Sequence, residues 1–260
     1  MAVIGSLTPR KIDSTAYVQR KNLLGPGVRV NGGARVIGDV NVGKSALIDF
    51  NAVVYGPTKL GAGTYVGPGC VIGFPDSTQL AKYRDLGLLR KPSTVVGDNC
   101  VIRSGAVLYS DVHLGSEISI GHNTLIRERV SIGGGTKVGT HVVIDGDCRI
   151  GERVSIQTGV YMCTHSTVED GVFLGPCCVF TNDKYVTQKP FELIGPIVRK
   201  GASIGANALL FPGITVGEGA IVGSQAMVNS NVPSRTIFVG IPARKIRDVP
   251  TDWQTSLLQR

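Results

Sequence analysis

The sequence predicts an all-β chain that winds into a triangular prism of stacked coils. From Val30 to Val228 an apolar residue recurs at every sixth position, with two gaps, and fills 29 positions in all. Glycine follows directly at 14 of these positions. A period of six fits neither a helix nor a simple strand, but it fits a short strand followed by a tight turn. Three such units close one coil, so the repeat predicts about ten coils.

The composition excludes several other classes of protein. The 35 glycines and 13 prolines would interrupt a helical bundle, and no apolar run approaches the ~20 residues of a membrane span. Residues Met1–Leu7 show no charged segment followed by an apolar stretch, so we expect no secretion signal and a cytoplasmic location. The net charge of +8 with only 6% aromatic residues favours small phosphorylated ligands over nucleic acid.

Two gaps interrupt the repeat, and both preserve its six-residue phase. We therefore interpret residues 74–93 and 182–197 as loops that project from a continuous prism. Residues 79–89 are expected to form a short helix within the first loop. Long loops in compact folds are usually functional, although each could be a plain surface excursion. The sequence predicts one domain over residues 1–250 and a C-terminal tail over residues 251–260 that could be helical.

The repeat over residues 28–247 resembles the hexapeptide-repeat family, whose fold is the left-handed parallel β-helix. The resemblance implies an acyltransferase that takes acetyl-CoA or a related thioester as acyl donor. It also implies a homotrimer with active sites between neighbouring prisms. We expect no metal cofactor.

Most of the cysteines are predicted to be structural. Four of the six fall on the small inward position two residues before the repeated aliphatic, where a thiol acts as a small core side chain; they are Cys70, Cys100, Cys148 and Cys178. Cys163 follows Met162 at a turn, which leaves a nucleophilic role as an alternative. No C-x-x-C pair exists, which disfavours a structural zinc site.

The four histidines leave a metal site open as an alternative. His122 and His141 are 19 residues apart, about one coil plus one residue, so they could be neighbours on the prism surface. One branch of the resembled fold is a zinc carbonic anhydrase with three histidine ligands. Two of those ligands are five residues apart, a spacing that this chain lacks.

A narrower resemblance lies in residues 168–183, which read Val-Glu-Asp-Gly-Val-Phe-Leu-Gly-Pro-Cys-Cys-Val-Phe-Thr-Asn-Asp. This run is similar to nucleotide-sugar N-acetyltransferases, which acetylate the amino group of a UDP- or dTDP-linked amino sugar. The resemblance implies that Asn182 and Asp183 contact that amine. Asp183 could orient the ammonium, and Asn182 could position the amine or polarise the thioester carbonyl. The alternative is that both residues simply begin a turn, which their side chains favour.

His165 marks a departure from that family, whose members often carry Glu-Gly where this chain has Thr164 and His165. His165 precedes Asp183 by 18 residues, or one coil, so the two should stack on the same face. It could therefore serve as the general base near neutral pH, or help to read a different sugar. The N-terminal coils and the loop at 74–93 are also extra, which leaves the identity of the sugar open.

The C-terminal coils resemble the coenzyme A site of the family. Residues 201–208 look like the pantetheine-binding coil, in which Ala206 offers backbone polar groups and Ser224 adds a contact one coil later. Residues 240–247 resemble the closing motif, whose cations bind the CoA phosphates as charge-assisted donors. The cations so implied are Arg244, Arg247 and, as a further candidate, Lys200. A solvated basic tail is the alternative.

The leading hypothesis is an acyl-CoA-dependent N-acetyltransferase of a nucleotide-linked amino sugar, with direct attack of the amine on the thioester. An O-acetyltransferase would need His165 or His141 as its base. A zinc hydrolyase of the carbonic anhydrase type and a non-catalytic scaffold with a basic binding patch are the remaining alternatives.

Overall fold

Short parallel strands stack into three sheets that form the faces of one prism. The structure, a computed structural model, describes residues 10–20, 22–86 and 94–259. Between Lys11 and Val228, strands that no loop separates pair in parallel at a spacing of 18 residues, as Leu125 with Val143. The chain is thus a left-handed parallel β-helix of about twelve turns, which confirms the predicted fold class.

The faces are called sheets A, B and C, and within the described residues they hold 13, 11 and 10 strands. Sheet A comprises Lys11–Ile12, Arg29–Val30, Leu47–Ile48, Tyr65–Val66, Val101–Ile102, Ser119–Ile120, Lys137–Val138, Ser155–Ile156, Phe173–Leu174, Ser203–Ile204, Ile221–Val222, Thr236–Val239 and Arg244–Asp248. Sheet B comprises Tyr17–Val18, Arg35–Ile37, Val53–Tyr55, Val71–Phe74, Val107–Tyr109, Leu125–Ile126, Val143–Ile144, Tyr161–Met162, Val179–Phe180, Leu209–Leu210 and Met227–Val228. Sheet C comprises Leu23–Leu24, Val40–Val42, Thr58–Leu60, Thr94–Val96, His113–Leu114, Ser131–Ile132, Arg149–Ile150, Thr167–Val168, Ile197–Val198 and Thr215–Val216.

The stack is longer than the ten coils that the repeat predicts. Strands begin at Lys11, because Ile12, Val18 and Leu24 continue the six-residue phase from Val30 toward the N-terminus, the end of the prism called its lower end here. The first of these side chains is 45% exposed, so the lowest coil buries less apolar surface than the coils above it.

The core is a narrow column of aliphatic side chains along the prism axis. All 29 repeat positions are buried, and so are the four cysteines that the repeat places inward. The coils approach each other closely at the corners. A Cβ on Gly133, for example, would lie 2.6 Å from the backbone nitrogen of Glu152 in the next coil. Close coil stacking therefore requires glycine at that corner.

The first gap in the repeat holds the helix α1, Ser77–Leu86. It begins two residues before the predicted segment because the Asp76 carboxylate accepts a hydrogen bond from the Gln79 backbone at 2.8 Å and caps the helix. Gln79 in turn accepts a hydrogen bond from the Ser110 hydroxyl at 2.7 Å, which ties α1 to the prism. Residues 87–93 of the predicted loop lie outside the described residues.

The second gap holds a loop without helix or strand between Phe180 and Ile197. The backbone of Ile194 donates to the carbonyl of Asn182 at 3.1 Å, which closes the base of the loop. Both gaps lie between a strand of sheet B and a strand of sheet C. The two loops therefore leave the prism along the same edge.

The C-terminal region is more regular than its prolines suggest. Thr236–Val239 adds a parallel strand to sheet A, and Arg244–Asp248 returns antiparallel beside it. The chain then folds back along the prism to a 3-10 helix at Ser256–Leu258. No helix in the described ranges is long and apolar enough to cross a membrane.

The fold predicts that substitutions at two neighbouring residues of one strand have very different effects on stability. Ile102 is fully buried, whereas Val101 is 37% exposed on the outer face. We expect Ile102→Ala to lower the free energy of unfolding by about 2–5 kcal/mol, because it leaves a cavity in the column. Urea denaturation followed by circular dichroism measures this loss.

Val101→Ala is the matched control, and it should change the free energy of unfolding by less than about 1 kcal/mol. Equal losses in the two variants would contradict the inward assignment of the repeat.

Candidate functional site

The predicted site residues lie at three edges of the prism, each named here by the sheets it joins. Asn182, Asp183 and His165 lie at the BC edge, from which the two loops project. Ala206 and Ser224 lie at the AB edge, and Arg244 begins the final strand beside it. Lys200 lies at the CA edge, and the Arg247 guanidinium is 5.4 Å from the Trp253 ring. Within one chain, the Asn182 group therefore lies along the BC edge and the Ala206 group along the AB edge, and sheet B separates the two edges.

Asp183 shapes the start of the second loop. One carboxylate oxygen accepts a hydrogen bond from the Tyr185 backbone at 2.8 Å, and the other accepts from Thr187 at 2.7 Å. This geometry is that of a turn-forming aspartate. A carboxylate offers about four lone-pair positions, so each oxygen can accept one further hydrogen bond. The turn therefore leaves Asp183 able to hold an ammonium group.

Asn182 is fixed between the loop and the coil below. Its side-chain amide donates to the Thr164 hydroxyl at 2.7 Å, while its carbonyl receives the loop-closing hydrogen bond from Ile194. Sequence reasoning treated Thr164 only as a departure from the resembled family. The spacing of 18 residues between Thr164 and Asn182 is the signal that could have identified the contact.

His165 is exposed and lies directly above a carboxylate. Its backbone is left-handed, with φ of 63°, and Asp147 occupies the same turn position one coil below. Arg129, one coil lower still, binds Asp147 through two hydrogen bonds of 2.7 and 2.9 Å. These hydrogen bonds lower the pKa of Asp147, the charge of Arg129 lowers it further, and His165 makes a smaller contribution in the same direction. The His165 imidazole therefore faces a carboxylate that stays ionised at neutral pH.

A polar network continues along the BC edge toward α1. The buried carboxylate of Glu128 pairs with Arg127 at 3.0 Å and with Arg129 at 3.6 Å. The Tyr161 hydroxyl donates to Asp145 at 2.7 Å. Burial and this hydrogen bond raise the pKa of Tyr161 to about 12, so its hydroxyl keeps the proton. The surface between the two loops is therefore a fixed array of charges and donors.

The AB edge carries two histidines as well as the predicted pantetheine contacts. The His122 Nδ1 lies 2.7 Å from the Ser104 hydroxyl, and the His141 Nε2 lies 3.2 Å from the Asn123 amide. The His141 backbone donates to the His122 carbonyl at 2.9 Å, so they are neighbours in adjacent coils. Backbone hydrogen bonds at each coil continue this edge up to Ala206, whose carbonyl accepts from Gln225 at 2.8 Å.

The buried cysteines are poor nucleophiles. Burial raises the pKa of Cys163 to about 11 and that of Cys148 to about 12. Both therefore remain protonated near neutral pH, and the thiolate is the reactive form. Within the described ranges, no group of three or more His, Cys, Asp or Glu side chains is arranged to hold a metal ion.

Family models match three segments of the chain. The model described as bacterial transferase hexapeptide (six repeats) matches residues 39–73. The model described as hexapeptide repeat of succinyl-transferase matches residues 93–110 and 198–226. The chain carries hexapeptide repeats. The matches support the resemblance to this family, and the prism is the fold that the repeat builds.

Curated relatives match over shorter stretches. A Schizosaccharomyces pombe protein with an acetyltransferase name is 33% identical over 92 residues, which is 33% of this chain and 44% of that protein. A chloramphenicol acetyltransferase of Klebsiella aerogenes is 44% identical over 55 residues, 21% of this chain and 26% of that protein. The chain spans less than half the length of these relatives.

The chain is also similar to a solved structure, that of the UDP-N-acetylglucosamine acyltransferase of Francisella novicida. It is 18% identical, with a TM-score of 0.47, over 91% of this chain and 69% of that one.

The ion pair below His165 predicts a pH-dependent contribution to stability. The pKa of Asp147 is lower in the folded protein than its ordinary value, so folding favours the ionised carboxylate. The stabilisation is therefore present above about pH 4 and is lost as the pH falls through the folded pKa. We expect Asp147→Asn to cost about 1 kcal/mol or less at pH 7, and less still near pH 3. Urea denaturation at both pH values measures the difference from the wild type.

Asp248→Asn is the control, because this carboxylate is 75% exposed in its pair with Lys245. It should change the unfolding midpoint little at either pH. A loss in Asp147→Asn that grows on acidification would contradict the assigned ion pair.

Proposed function

We propose that this protein is an acyl-CoA-dependent N-acetyltransferase that acts on the amino group of a UDP- or dTDP-linked amino sugar. The observation that carries the proposal is the geometry at the base of the second loop. There Thr164 fixes the Asn182 amide, the Asp183 carboxylate keeps lone pairs that the turn does not use, and His165, which follows Thr164 in the coil below, lies above an ionised Asp147. These groups can hold an amine, position it and accept its proton.

The reaction needs no acyl-enzyme. The free amine attacks the thioester carbonyl, the new C–N bond forms, and the C–S bond to coenzyme A breaks. Asp183 holds the ammonium group before reaction, and His165 accepts the proton that must leave before the amine can attack. As the amide forms, the nitrogen gives up its second proton to the departing thiolate, and His165 releases the first proton to water. The high pKa of Cys163 favours this direct route over transfer through a cysteine.

The acyl donor in this proposal is acetyl-CoA, bound at the AB edge. Ala206 and Ser224 contact the pantetheine arm, while Arg244, Arg247 and Lys200 supply charge for the phosphates. The amine-binding residues lie at the BC edge, across sheet B from that arm. A cytoplasmic homotrimer in which the AB edge of one copy faces the BC edge of the next would unite the two halves.

An O-acetyltransferase is the second candidate, and the histidines of the AB edge favour it. His141 is exposed, lies on the edge proposed for the pantetheine arm and is held by Asn123. An imidazole there could deprotonate a hydroxyl acceptor, which, unlike an amine, is a poor nucleophile while it keeps its proton.

The proposed function predicts which acceptors release thiol from acetyl-CoA. We expect release with UDP- or dTDP-linked 3-amino or 4-amino sugars and none with their hydroxyl analogues, measured with a colorimetric thiol reagent. Release with the hydroxyl analogues alone, lost in His141→Asn, would favour the second candidate. The absence of thiol release with every acceptor would reject both candidate functions.

Two substitutions separate a chemical role for Asp183 from its role in the turn. Asp183→Asn keeps one oxygen that can accept the Tyr185 hydrogen bond, but it loses the charge and the acceptor for Thr187. If the charge holds the ammonium, turnover should fall by about 10²-fold in both Asp183→Asn and Asp183→Ala. Near-normal turnover in Asp183→Asn alone would reduce the residue to a turn former.

Thr164→Val tests whether the fixed position of Asn182 matters. The substitution is nearly isosteric and removes one hydrogen bond of 2.7 Å. We expect kcat to fall about tenfold, the equivalent of one such hydrogen bond, with an unchanged melting temperature. Thr215→Val, on sheet C, is the control, because its hydroxyl forms no hydrogen bond among the described residues, and it should leave kcat unchanged.

A further inference from the structure

A cleft of about 750 Å³ lies between the C-terminal segment and the CA edge of the prism. Lys200, Glu218 and Arg235 line it from the coils, and Asp252 and Trp253 line it from the C-terminal segment. Its volume is within the range of about 300–1,000 Å³ that small-molecule sites occupy. It lies apart from the loops of the BC edge and from the histidines of the AB edge.

The C-terminal segment that covers this cleft is fixed to the prism at both ends. At one end the Arg235 guanidinium donates to the Pro250 carbonyl at 2.8 Å, and the Val249 backbone donates to the Arg235 carbonyl at 2.8 Å. At the other end Leu258 packs against Gly171 and Gly201, in space that a Cβ on either glycine would occupy. The cleft is therefore a formed feature of the fold.

The cations of the cleft are available to an anion. Among the described residues, Lys200 has no ion-pair partner, since Glu169 accepts from its backbone and pairs with Arg199 instead. Arg235 uses one nitrogen for Pro250 and retains other donors. Arg247 also lies close, with its guanidinium 5.4 Å from the Trp253 ring. Lys200 and Arg235 thus line the same cleft as Trp253, and Arg247 lies over the Trp253 ring.

The other side chains that line the cleft can bind a sugar and a planar ring. The Trp253 side chain is 47% exposed, so its indole can stack on a base. Glu218 and Asp252 form no ion pair within the part of the chain that the structure describes. Free carboxylates would repel a bare anion, but they accept hydrogen bonds from ribose hydroxyls.

We propose that this cleft binds a nucleoside 5′-diphosphate group. The base stacks on Trp253, the ribose hydroxyls donate to Glu218 or Asp252, and the diphosphate accepts from Lys200 and Arg235. Under the proposed function, on which this assignment of sources rests, the group belongs either to coenzyme A or to the nucleotide sugar. A wholly apolar ligand would leave four charged groups unpaired, and a metal cation would be repelled by the two cations.

The single tryptophan of the chain makes the cleft observable. Fluorescence excited at wavelengths that tyrosine does not absorb reports on Trp253 alone, so the protein can be titrated separately with coenzyme A, ADP, UDP and dTDP. We expect a saturable change with at least one of them. A response to coenzyme A and ADP assigns the cleft to the acyl donor, and a response to UDP or dTDP assigns it to the nucleotide sugar.

Lys200→Ala should weaken that binding about tenfold or more, the effect of losing one hydrogen bond from a charged group. Lys245→Ala is the matched control, because this lysine pairs with Asp248 on the final strand and does not line the cleft. Equal weakening in the two variants would overturn the proposal in favour of nonspecific charge attraction.

Calorimetry with the wild type and with Trp253→Phe detects binding that does not change the fluorescence of Trp253. No saturable change in fluorescence and no heat of binding with any of the four nucleotides overturns the proposal. Full thiol release in Lys200→Ala and Trp253→Phe, at unchanged KM for both substrates, overturns the cleft and the phosphate contact of Lys200, but it leaves the proposed acyl transfer intact. Nucleotide binding without any acyl transfer supports the cleft and overturns the proposed function.

Discussion

Each coil of this prism is held by parallel strand pairing which, where no loop intervenes, places a residue beside the one 18 positions further along the chain. A shift of one residue would turn the buried aliphatic column outward on every face, so the register is fixed. Extra residues can enter only where they restore the phase, and only at an edge, where they leave the ladder intact. Both loops meet that condition, and both leave at the edge between sheets B and C.

The same spacing turns separate positions of the sequence into columns of side chains. Arg129, Asp147 and His165 share a turn position in successive coils, and alternate in charge when the imidazole is protonated. The Arg129–Asp147 pair is a geometric consequence of the repeat. The contact of Thr164 with Asn182 is another. Chemistry on this fold therefore depends on what stacks at an edge, since the faces supply only strands and core.

The period of six predicts the fold class, the inward residues and the places where loops leave, because strand pairing and burial follow directly from it. It does not predict where the prism ends. The strand Thr236–Val239 pairs Phe238 with Val222 at a spacing of 16 residues, and the lowest coil is only partly buried. The resemblance to nucleotide-sugar N-acetyltransferases, not the period, is what predicts amine contacts for Asn182 and Asp183. Their partners, Thr164 and the loop amides, depend on side-chain and loop geometry that the period does not determine.

The division of the predicted site between two edges follows from the same architecture. A strand of sheet B separates each AB turn from the next BC turn, so no side chain at Ala206 can approach Asp183 within one chain. If both groups serve one reaction, the second half of the site must come from another copy, and the proposed trimer is then a requirement of the chemistry. The exposed Val186, Leu193 and Ile194 of the second loop are placed beside the edge where that copy would dock.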